Sequence, residues 1–424
     1  MTDSGIDRRD FLKGAAATMA LLMTADGLSS AQAAAAEAAA PAPAGPAVKI
    51  GVIGLGAWGK DIVTTLAKMP SFQITGICDT YQAFVTRASK VATSAKAYTD
   101  YKQILAAPDV DAVIVATPSH LHKEIVLAAV QADKHVYCEA PIASSIDDAK
   151  AIALAGQGSK KIFQAGLQGR TNPLYEHVSK FVKSGCMGTV AEAHSQCNKR
   201  QSWRRMAPNA EREKEMNWRL SNATSSGLVG ELGIHGIDLV NWYVGGLPVA
   251  VTGFGAITAW NDGRDVPDTV QCVIEYPKNV RLVFTSTCAS GFGGDYTLIQ
   301  GDQSSLMLRD KRGWMVKEAD SALIGWEPYA KKEQVYDETG ICMVANASKI
   351  LAEGKDPAKD ATSELTEEPL AVALEAFAKS CKDGSKPAAG AVEGYQAAVT
   401  AIKANEAILA GTKIALTPDM FELK

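Results

Sequence analysis

The sequence predicts an α/β unit with a parallel sheet, followed by an α+β unit with a large, mostly antiparallel open sheet. Two observations predict this order. Short apolar runs alternate with helical patterns as far as about residue 170, as they do in βαβ units. After residue 174, longer segments carry β-branched residues at alternate positions, which is typical of strands that bury one face. A length of 424 residues fits two such units.

The first 33 residues have the pattern of a twin-arginine signal peptide. They contain the run Arg8-Arg9-Asp10-Phe11-Leu12-Lys13, an apolar stretch at 15–23 and the small-residue cleavage pattern Ala31-Gln32-Ala33. Nine apolar residues are too few to span about 30 Å of hydrocarbon, so no permanent membrane span is expected. We therefore expect a periplasmic or otherwise exported protein that uses the twin-arginine export machinery. Residues 34–47, mainly Ala, Pro and Gly, are predicted to form a linker.

Composition favours a small-molecule partner. The chain has 47% hydrophobic and 21% charged residues, and its net charge of -4 gives no electrostatic reason to expect nucleic acid. The eight cysteines are scattered, so free, buried thiols are expected. No Cys-x-x-Cys pair occurs and the histidines form no cluster beyond His120-x-His122, so no metal site is predicted.

The first strand leads into a glycine-rich turn that predicts a dinucleotide site. The apolar run 49–53 is followed by Gly54-Leu55-Gly56-Ala57-Trp58-Gly59 and then by a helical pattern through Leu66. The glycines permit a tight turn, let the backbone approach a pyrophosphate and let the helix pack on the strand, and the helix N-terminus faces the phosphates. Residues 48–170 are therefore predicted to form a Rossmann domain that binds NAD(P).

Asp79 favours NAD over NADP as the cofactor. It ends a second strand, 72–78, and lies twenty residues after Gly59, where a carboxylate can accept hydrogen bonds from a ribose diol. Further strands at 112–116 and 135–138 end in polar residues, and a last strand closes near Gln168. These strand ends add the cofactor-binding candidates Thr117, Pro118, His120, His122, Glu139 and Gln168.

The second unit, residues 171–424, is predicted to carry the substrate and oligomerisation surfaces. A helix at 174–184 comes first, and alternating strands follow at 190–198, 249–258, 269–276 and 280–286. Two amphipathic helices at 370–381 and 392–409 close the chain. An open sheet face would offer a surface for a homo-oligomer.

From residue 48 onward the chain resembles the Gfo/Idh/MocA family, which includes glucose–fructose oxidoreductase and inositol dehydrogenase. The resemblance rests on Gly54 to Gly59, Ala116 to His122, Cys138 to Pro141 and Gly230 to Asp238. It implies a cofactor in the N-terminal domain, a substrate over the open sheet face, and hydride transfer to or from a sugar or cyclitol carbon.

The chain departs from the family pattern at one position. The family usually has Glu-Lys-Pro where this chain has Glu139-Ala140-Pro141, and in the family that lysine joins an Asp-x-x-x-His pair in proton handling. Here Glu231-x-x-x-His235 supplies the pair, with glutamate in place of aspartate. The resemblance therefore leaves the site without its usual cation.

His235 is the best candidate for the catalytic base. Oxidation of a carbinol requires a group that takes the hydroxyl proton. If the segment is helical, Glu231 lies one turn before His235 and orients the imidazole, and Asp238 is the alternative carboxylate for that role. A structural histidine capped by glutamate is the other interpretation, as is local packing for His122.

The segment from Lys199 to Arg219 is a second source of candidates. It carries seven basic residues, one of which could restore the missing cation, although most are expected to form a solvated loop. Trp203 and Trp218 offer ring faces to sugar C–H surfaces or pack in the core, and arginines such as Arg219 could bind hydroxyls or a carboxylate. Arg170 and Asn172 are further candidates for the substrate cleft.

Three hypotheses about function follow. Because free NAD is scarce outside the cytoplasm, an exported enzyme should hold its cofactor tightly, which favours a sugar oxidoreductase with coupled half-reactions. The alternative is a redox-neutral, NAD-dependent glycosidase resembling glycoside hydrolase family 109, which acts through transient oxidation at C3 and elimination. A non-catalytic sugar sensor is the third.

Overall fold

The structure is a computed structural model that describes residues 45–309, 311–325, 327–344, 347–360, 364–365 and 367–424. The signal peptide at 1–33 and all but the last three residues of the linker at 34–47 lie outside the described residues. The first strand begins at Val48, directly after the linker.

The first sheet has six parallel strands in the order β3-β2-β1-β4-β5-β6. Its central strand Ala112–Val115 is uncharged and fully buried because helices cover both faces of the sheet. The order reverses between β1 and β4, and ligands bind at that edge in such sheets. The strands are β1 Val48–Ile53, β2 Phe72–Cys78, β3 Lys96–Tyr98, β4 Ala112–Val115, β5 His135–Cys138 and β6 Phe163–Ala165.

Five helices connect these strands. Asp100 and Ser145 accept N-cap hydrogen bonds at two of the helix starts. The helices are α1 Ala57–Leu66, α2 Gln82–Ser89, α3 Tyr101–Leu105, α4 His122–Gln131 and α5 Ile146–Gly158.

The second sheet has ten strands in the order β14-β15-β13-β12-β11-β7-β10-β9-β8-β16. Among the described strand pairs of this second sheet, only β7 and β10 are parallel to each other. The sheet is therefore mostly antiparallel, as predicted. The strands are β7 Val190–Asn198, β8 Ala250–Ala256, β9 Thr269–Glu275, β10 Arg281–Thr287, β11 Asp295–Gly301, β12 Ser304–Arg309, β13 Arg312–Lys317, β14 Lys332–Val335, β15 Glu338–Cys342 and β16 Ile414–Ala415.

Helices cover one face of this sheet. Leu282 and Phe284 of β10 are fully buried beneath them, whereas the alternate residues Val283 and Thr285 are only partly buried. The helices of this half of the chain are α6 Pro173–Lys183, α7 Ala210–Met216, α8 Gly227–Glu231, α9 Ile234–Val244, α10 Ala347–Ala352, α11 Pro357–Asp360, α12 Pro369–Asp383 and α13 Ala391–Ala410.

Helix α12 packs on the first sheet rather than on the second. Its Phe377 ring lies 5.7 Å from the Tyr137 ring of β5, and Gln164 of β6 donates to the Ala373 carbonyl oxygen at 3.1 Å. The predicted second domain, 171–424, therefore includes a helix that joins the core of the first unit. Sequence alone gave no sign of this because the helix is more than 200 residues away from the strands it covers.

The eight cysteines are free thiols, and six of them are buried. Burial raises the pKa of several of them, among them Cys78, Cys272 and Cys381, each to about 12. Buried thiols of this kind stay protonated and unreactive at neutral pH.

Candidate functional site

A cleft of about 520 Å³ lies between the two sheets. One wall consists of the glycine-rich turn and the residues that follow β4 and β5. The other wall consists of the start of α9 and parts of β7 and β11. The polar and aromatic residues that line it include Trp58, Thr117, Ser119, His122, Glu139, Gln168, Asn172, Tyr175, Lys199, Trp218, Arg219, Glu231, His235, Asp295 and Tyr296.

The glycine-rich turn has the geometry that its glycines predict. Gly54 has a φ of +94°, a conformation that other residues rarely adopt. A Cβ at Gly59 would lie 1.9 Å from the Gly54 carbonyl oxygen. Nothing lies within 4 Å of a Cβ built at Gly56, so the backbone there is open to a ligand.

Asp79 fixes this turn from the end of β2. Its carboxylate accepts hydrogen bonds from the backbone N–H groups of Leu55 at 2.7 Å and Tyr81 at 2.8 Å. Burial raises the pKa of Asp79, and the two N–H groups, together with Arg212 and Arg87, oppose that rise. Each carboxylate oxygen keeps a lone pair with which it can accept from a ribose hydroxyl.

Among the described residues that line the cleft, two buried side-chain atoms beyond the ends of β4 and β5 have no hydrogen-bond partner. They are Thr117 Oγ1 and Glu139 Oε1. Burial raises the pKa of Glu139 to about 7, while the Trp58 side chain and the Ala140 N–H donate to it and oppose the rise. Unpaired buried polar atoms are rare in folded proteins, so this wall fits a polar ligand that supplies the missing partners.

His122 has structural surroundings, whereas the buried Nδ1 of His120 has no hydrogen-bond partner within the described residues. His122 is buried, with Nε2 at 2.9 Å from the Thr117 carbonyl oxygen and Nδ1 at 3.2 Å from the Ile142 carbonyl oxygen. Burial lowers its pKa to about 4. The ring of His120 lies 6.0 Å from that of Trp218. These contacts favour the local-packing interpretation of His122, which ties the ends of two strands together.

His235 lies at the start of α9 and opens into the cleft. No hydrogen bond within the described part of the chain uses its ring nitrogens, and the residue is exposed in the cleft. Desolvation by the cleft walls lowers the pKa of His235 to about 4; the positive charge of Lys199 adds to the effect and the negative charge of Asp295 opposes it. The neutral imidazole is therefore free to accept a proton from a ligand.

Glu231 and His235 do not share a helical turn. Helix α8 ends at Glu231, and α9 begins at Ile234, so the two side chains belong to different helices. Glu231 Oε1 accepts from the hydroxyl groups of Ser119 and Ser226, both at 3.1 Å. Its Oε2 lies 3.3 Å from Arg219 Nε. The conditional expectation of a continuous helix was wrong because Leu232 and Gly233 interrupt it.

Asp238 forms a buried ion pair with Arg170. Arg170 Nε lies 2.9 Å from Asp238 Oδ2, and Arg170 Nη2 donates to Oδ1 at 2.9 Å. Burial raises the pKa of Asp238, and the guanidinium opposes that rise. Neither residue belongs to the lining that the described residues give the cleft. Asp238, a candidate to orient His235, and Arg170, a candidate for substrate binding, thus form an ion pair with each other.

The remaining candidates for substrate contact divide between the cleft and the packing around it. Trp218, Arg219 and Gln168 line the cleft, with the Arg219 guanidinium 4.4 Å from the Trp218 ring centroid. Asn172 also lines it, but its Oδ1 caps α6 by accepting from the Leu174 N–H at 2.9 Å. Trp203 packs against the core instead.

Sequence reasoning missed Asp295, Tyr296 and Ser119 as cleft residues and named Lys199 only within a basic segment. Asp295 begins β11, and no strand after 286 was predicted. Lys199 Nζ lies 3.4 Å from Asp295 Oδ2, directly beyond the end of β7. The pairing of β7 with β11, which joins distant parts of the chain, brings Lys199 and Asp295 together at the cleft.

The residues on the first wall fit a dinucleotide. The open turn at Gly56, the carboxylate of Asp79 and the unpaired atoms of Thr117 and Glu139 follow successive strands along one sheet edge. A pyrophosphate, a ribose and a nicotinamide need groups of these kinds at this edge. The fold and this wall therefore define a two-domain NAD-binding oxidoreductase.

Comparison with known proteins gives the family. Residues 48–167 match the model described as the oxidoreductase family with an NAD-binding Rossmann fold, and residues 175–307 match the GFO/IDH/MocA C-terminal domain. The chain belongs to the Gfo/Idh/MocA family, as the sequence motifs predicted.

Several relatives are similar to this chain over much of its length. An uncharacterized oxidoreductase of Streptococcus pneumoniae is 29% identical over 62% of this chain and 68% of its own length. A levoglucosan dehydrogenase of Pseudarthrobacter phenanthrenivorans is 27% identical, over 47% of this chain and only 51% of its own length. A 2,7-anhydro-N-acetylneuraminate hydratase of Escherichia coli is 25% identical over 62% of this chain and 67% of its own length.

Solved structures share the fold. The complex of levoglucosan dehydrogenase with NADH and L-sorbose superimposes with a TM-score of 0.70 at 20% identity, covering 88% of this chain and 100% of that one. An aldose-aldose oxidoreductase from Caulobacter crescentus gives a TM-score of 0.66 at 17% identity, covering 87% and 100%. Both confirm a Rossmann domain joined to a large, mostly antiparallel sheet.

The N-terminal segment carries an export signal. Residues 5–25 match the model of the twin-arginine translocation signal, which confirms the predicted export to the periplasm. Within the described ranges, no helix is long and apolar enough to cross a membrane.

Proposed function

We propose that the protein transfers a hydride between a tightly bound NAD and a sugar or sugar derivative in the periplasm, with His235 as the base. The observation that carries this proposal is the state of His235. Its ring opens into the cleft, opposite the wall that fits the cofactor, and makes no hydrogen bond within the described part of the chain. A histidine held neutral and without a partner in a cleft is suited to accept a proton from a bound ligand.

The residues on each wall have separate tasks in this reaction. Bound NAD would supply the hydride acceptor. His235 takes the hydroxyl proton on a ring nitrogen as the carbinol carbon loses its hydride, and it returns the proton when a carbonyl is reduced. With a pKa of about 4 the His235 ring is neutral at neutral pH, so one ring nitrogen has the lone pair that takes the hydroxyl proton.

Glu231 acts through its contacts rather than on His235 directly. It receives hydrogen bonds from Ser119 of the first unit and Ser226 of the second, so it connects the two walls of the cleft. It also holds the Arg219 guanidinium beside the Trp218 ring. We therefore assign Glu231 a positioning role: it keeps a cationic and aromatic surface in place for the substrate.

The shape and polarity of the cleft support a sugar-sized substrate. A volume of about 520 Å³ lies within the range of small-molecule sites. The lining combines a tryptophan ring, an arginine and amide side chains, which can pack on C–H surfaces and bond hydroxyl groups. Relatives named levoglucosan dehydrogenase and inositol 2-dehydrogenase support a polyhydroxylated substrate.

A test of the proposal starts from the mature protein purified without added cofactor. We expect bound nucleotide, and we expect the absorbance of reduced nicotinamide to rise when a responding sugar is added and to fall with the matching keto-sugar. The panel should include levoglucosan, myo-inositol, D-glucose and their oxidised forms. Absence of bound nucleotide, or a bound nucleotide that no member of the panel reduces, would contradict the proposal.

A redox-neutral reaction is the second candidate. Ala140 stands where the family usually has lysine. Two relatives of this chain are named 2,7-anhydro-N-acetylneuraminate hydratase, a name that denotes addition of water. In such a reaction the hydride returns to the sugar after elimination and hydration. Release of nitrophenol from nitrophenyl glycosides without a lasting change in nicotinamide absorbance would favour this candidate over the first.

A further inference from the structure

A cation near the reacting oxygen would assist either reaction, and only a few basic side chains line the cleft. Loss of a proton from a sugar hydroxyl builds negative charge on oxygen, which a nearby ammonium or guanidinium stabilises. Apart from histidines, the described lining contains two basic residues, Lys199 and Arg219. Their partners decide which of them is available.

Arg219 is committed to a buried carboxylate. The side chain of Glu231 is only 2% exposed and lies 3.3 Å from Arg219 Nε. An arginine removed from it would leave a buried charge with only two hydroxyl groups as partners, so the pair holds together strongly. Glu231 therefore holds this guanidinium in place on the wall, and it is not available to move to a reacting oxygen.

Lys199 has a weaker hold on its partner. Lys199 Nζ lies 3.4 Å from Asp295 Oδ2, and both side chains are about half exposed, at 49% and 50%. Exposed pairs of this kind contribute little free energy. The ammonium group can therefore exchange its contact with Asp295 for one with a ligand oxygen.

The backbone around Lys199 is nevertheless well placed. The Lys199 N–H donates to the Thr287 carbonyl oxygen at 3.0 Å, at the end of β10. Asp295 pairs with Cys197 in the register of β7 and β11. Three neighbouring strands thus fix the base of the side chain, while its ammonium group is held only by the exposed contact with Asp295.

The charges of Lys199 and Asp295 also shift the pKa of His235. The positive charge of Lys199 lowers the pKa of His235 and the negative charge of Asp295 raises it, and all three side chains line the cleft. The three residues therefore form one electrostatic unit at the second wall of the cleft.

We propose that Lys199 is a catalytic cation that acts beside His235, and that Asp295 is its positioning residue. This inference rests on the proposed oxidoreductase function. As the carbon loses its hydride to the nicotinamide, the hydroxyl proton passes to His235 and the oxygen becomes a carbonyl oxygen. The Lys199 ammonium donates a hydrogen bond to that oxygen throughout and keeps its own protons. It thus supplies, from the second domain, the positive charge that Ala140 does not.

The test compares Lys199→Met with Arg200→Met in the full mature protein with its bound cofactor. Arg200 is the next residue, is exposed and donates to the Ala289 carbonyl oxygen, so the control removes one positive charge from the same segment. We expect Lys199→Met to lower kcat on the responding sugar by about a hundredfold with a smaller change in KM. Arg200→Met should behave as wild type, and Lys199→Arg should keep part of the activity.

A second rescue variant strengthens the assignment. Ala140 lines the same cleft from the first wall. Adding Ala140→Lys to Lys199→Met should restore part of kcat if a cation is what the variant lacks. Equal kcat in Lys199→Met and Arg200→Met would overturn the proposal.

A titration separates failure of this inference from failure of the proposed function. The pKa of His235 can be followed by NMR from its ring proton, without any substrate. We expect Lys199→Met to raise that pKa, Asp295→Asn to lower it, and Arg200→Met to leave it unchanged. If no sugar is turned over by wild type, the proposed function fails, while the titration still shows whether the unit of Lys199, Asp295 and His235 exists; an unchanged titration in both variants would contradict it.

Discussion

The two walls of the cleft satisfy their polar groups in different ways. The first-domain wall leaves the buried atoms Thr117 Oγ1 and Glu139 Oε1 without partners. The second-domain wall pairs its charges with one another, Glu231 with Arg219 and Lys199 with Asp295. On the first wall, the unpaired buried atoms gain partners only when a ligand is bound. On the second wall, the charges are paired without a ligand, so a ligand can leave without leaving them unpaired. This contrast fits the proposed resident cofactor and exchanging substrate.

The largest expected effect is on the second wall, at His235. Replacing His235 with Asn removes the proton acceptor and should lower kcat by about a thousandfold, because general base catalysis contributes about that much. Bound cofactor, measured by its absorbance after purification, should be unchanged because the first wall holds it. Loss of cofactor together with activity would show that the two walls do not act separately.

The pH dependence of kcat/KM sharpens the same point. The base works only when neutral, so oxidation should be lost as pH falls through the pKa of His235, about 4. A wild-type profile that stays flat from pH about 7 to about 5 would agree with this value. An ordinary histidine, with a pKa near 6.5, would already lose activity in that range.

The next largest effect concerns the two carboxylates of the second domain. Asp238→Asn should destabilise the protein by about 3 kcal/mol, because it leaves the Arg170 guanidinium buried without its ion partner. Glu231→Gln should have a smaller effect of about 1 kcal/mol, because the Arg219 side chain is 42% exposed and water can solvate it. Urea unfolding of the two variants measures the difference, and equal losses would contradict the assigned roles.

Glu139 gives a prediction for the first wall. Its pKa is raised from 4.5 to about 7, so between these pH values the folded protein keeps a proton that the unfolded chain loses. Its contribution to stability is therefore fully present below about pH 4 and declines by about 3 kcal/mol as pH rises to about 7. Glu139→Gln cannot titrate. The difference in unfolding free energy between wild type and this variant should change by that amount across the window, and a constant difference would contradict it.

The smallest expected effect is on cofactor release. Arg212 of α7 donates to the Thr80 carbonyl oxygen at 2.9 Å and to Thr80 Oγ1 at 3.0 Å, next to Asp79. These contacts hold a second-domain helix over the predicted ribose site. Arg212→Met should speed NADH release by about fivefold, equivalent to about 1 kcal/mol. Lys214→Met, an exposed change on the same helix, is the control, and equal release rates in the two variants would exclude a role for Arg212.

The first wall could be predicted largely from sequence. Gly54, Gly56, Gly59 and Asp79 are close in sequence to the strands and the turn that they serve, so their spacing carries the geometry. Thr117 and Glu139 follow directly from the rule that the ends of parallel strands share one sheet edge. The family and the export signal were recognised for the same reason, because contiguous motifs define them.

The second wall could be predicted only in part. His235 was identified as the candidate base from its motif, and Glu231 was expected to orient it. In the structure Glu231 instead contacts Arg219 and the hydroxyl groups of two serines. Asp238 was the alternative carboxylate for orienting His235, and Arg170 was a candidate for the substrate cleft. The two residues, 68 positions apart, instead form an ion pair with each other. Neither pairing has a sequence signal, since nothing in the local pattern specifies which arginine meets which carboxylate.

The sequence by itself therefore determined the two-domain order, the cofactor turn, the candidate base and the export signal, all of which depend on local spacing and periodicity. Only the tertiary structure decided how the charges pair, that α12 returns to the first sheet, and that Lys199 and Asp295 meet beside His235. Those contacts join residues far apart in the chain, and their formation depends on strand pairing and desolvation, which a linear pattern does not encode.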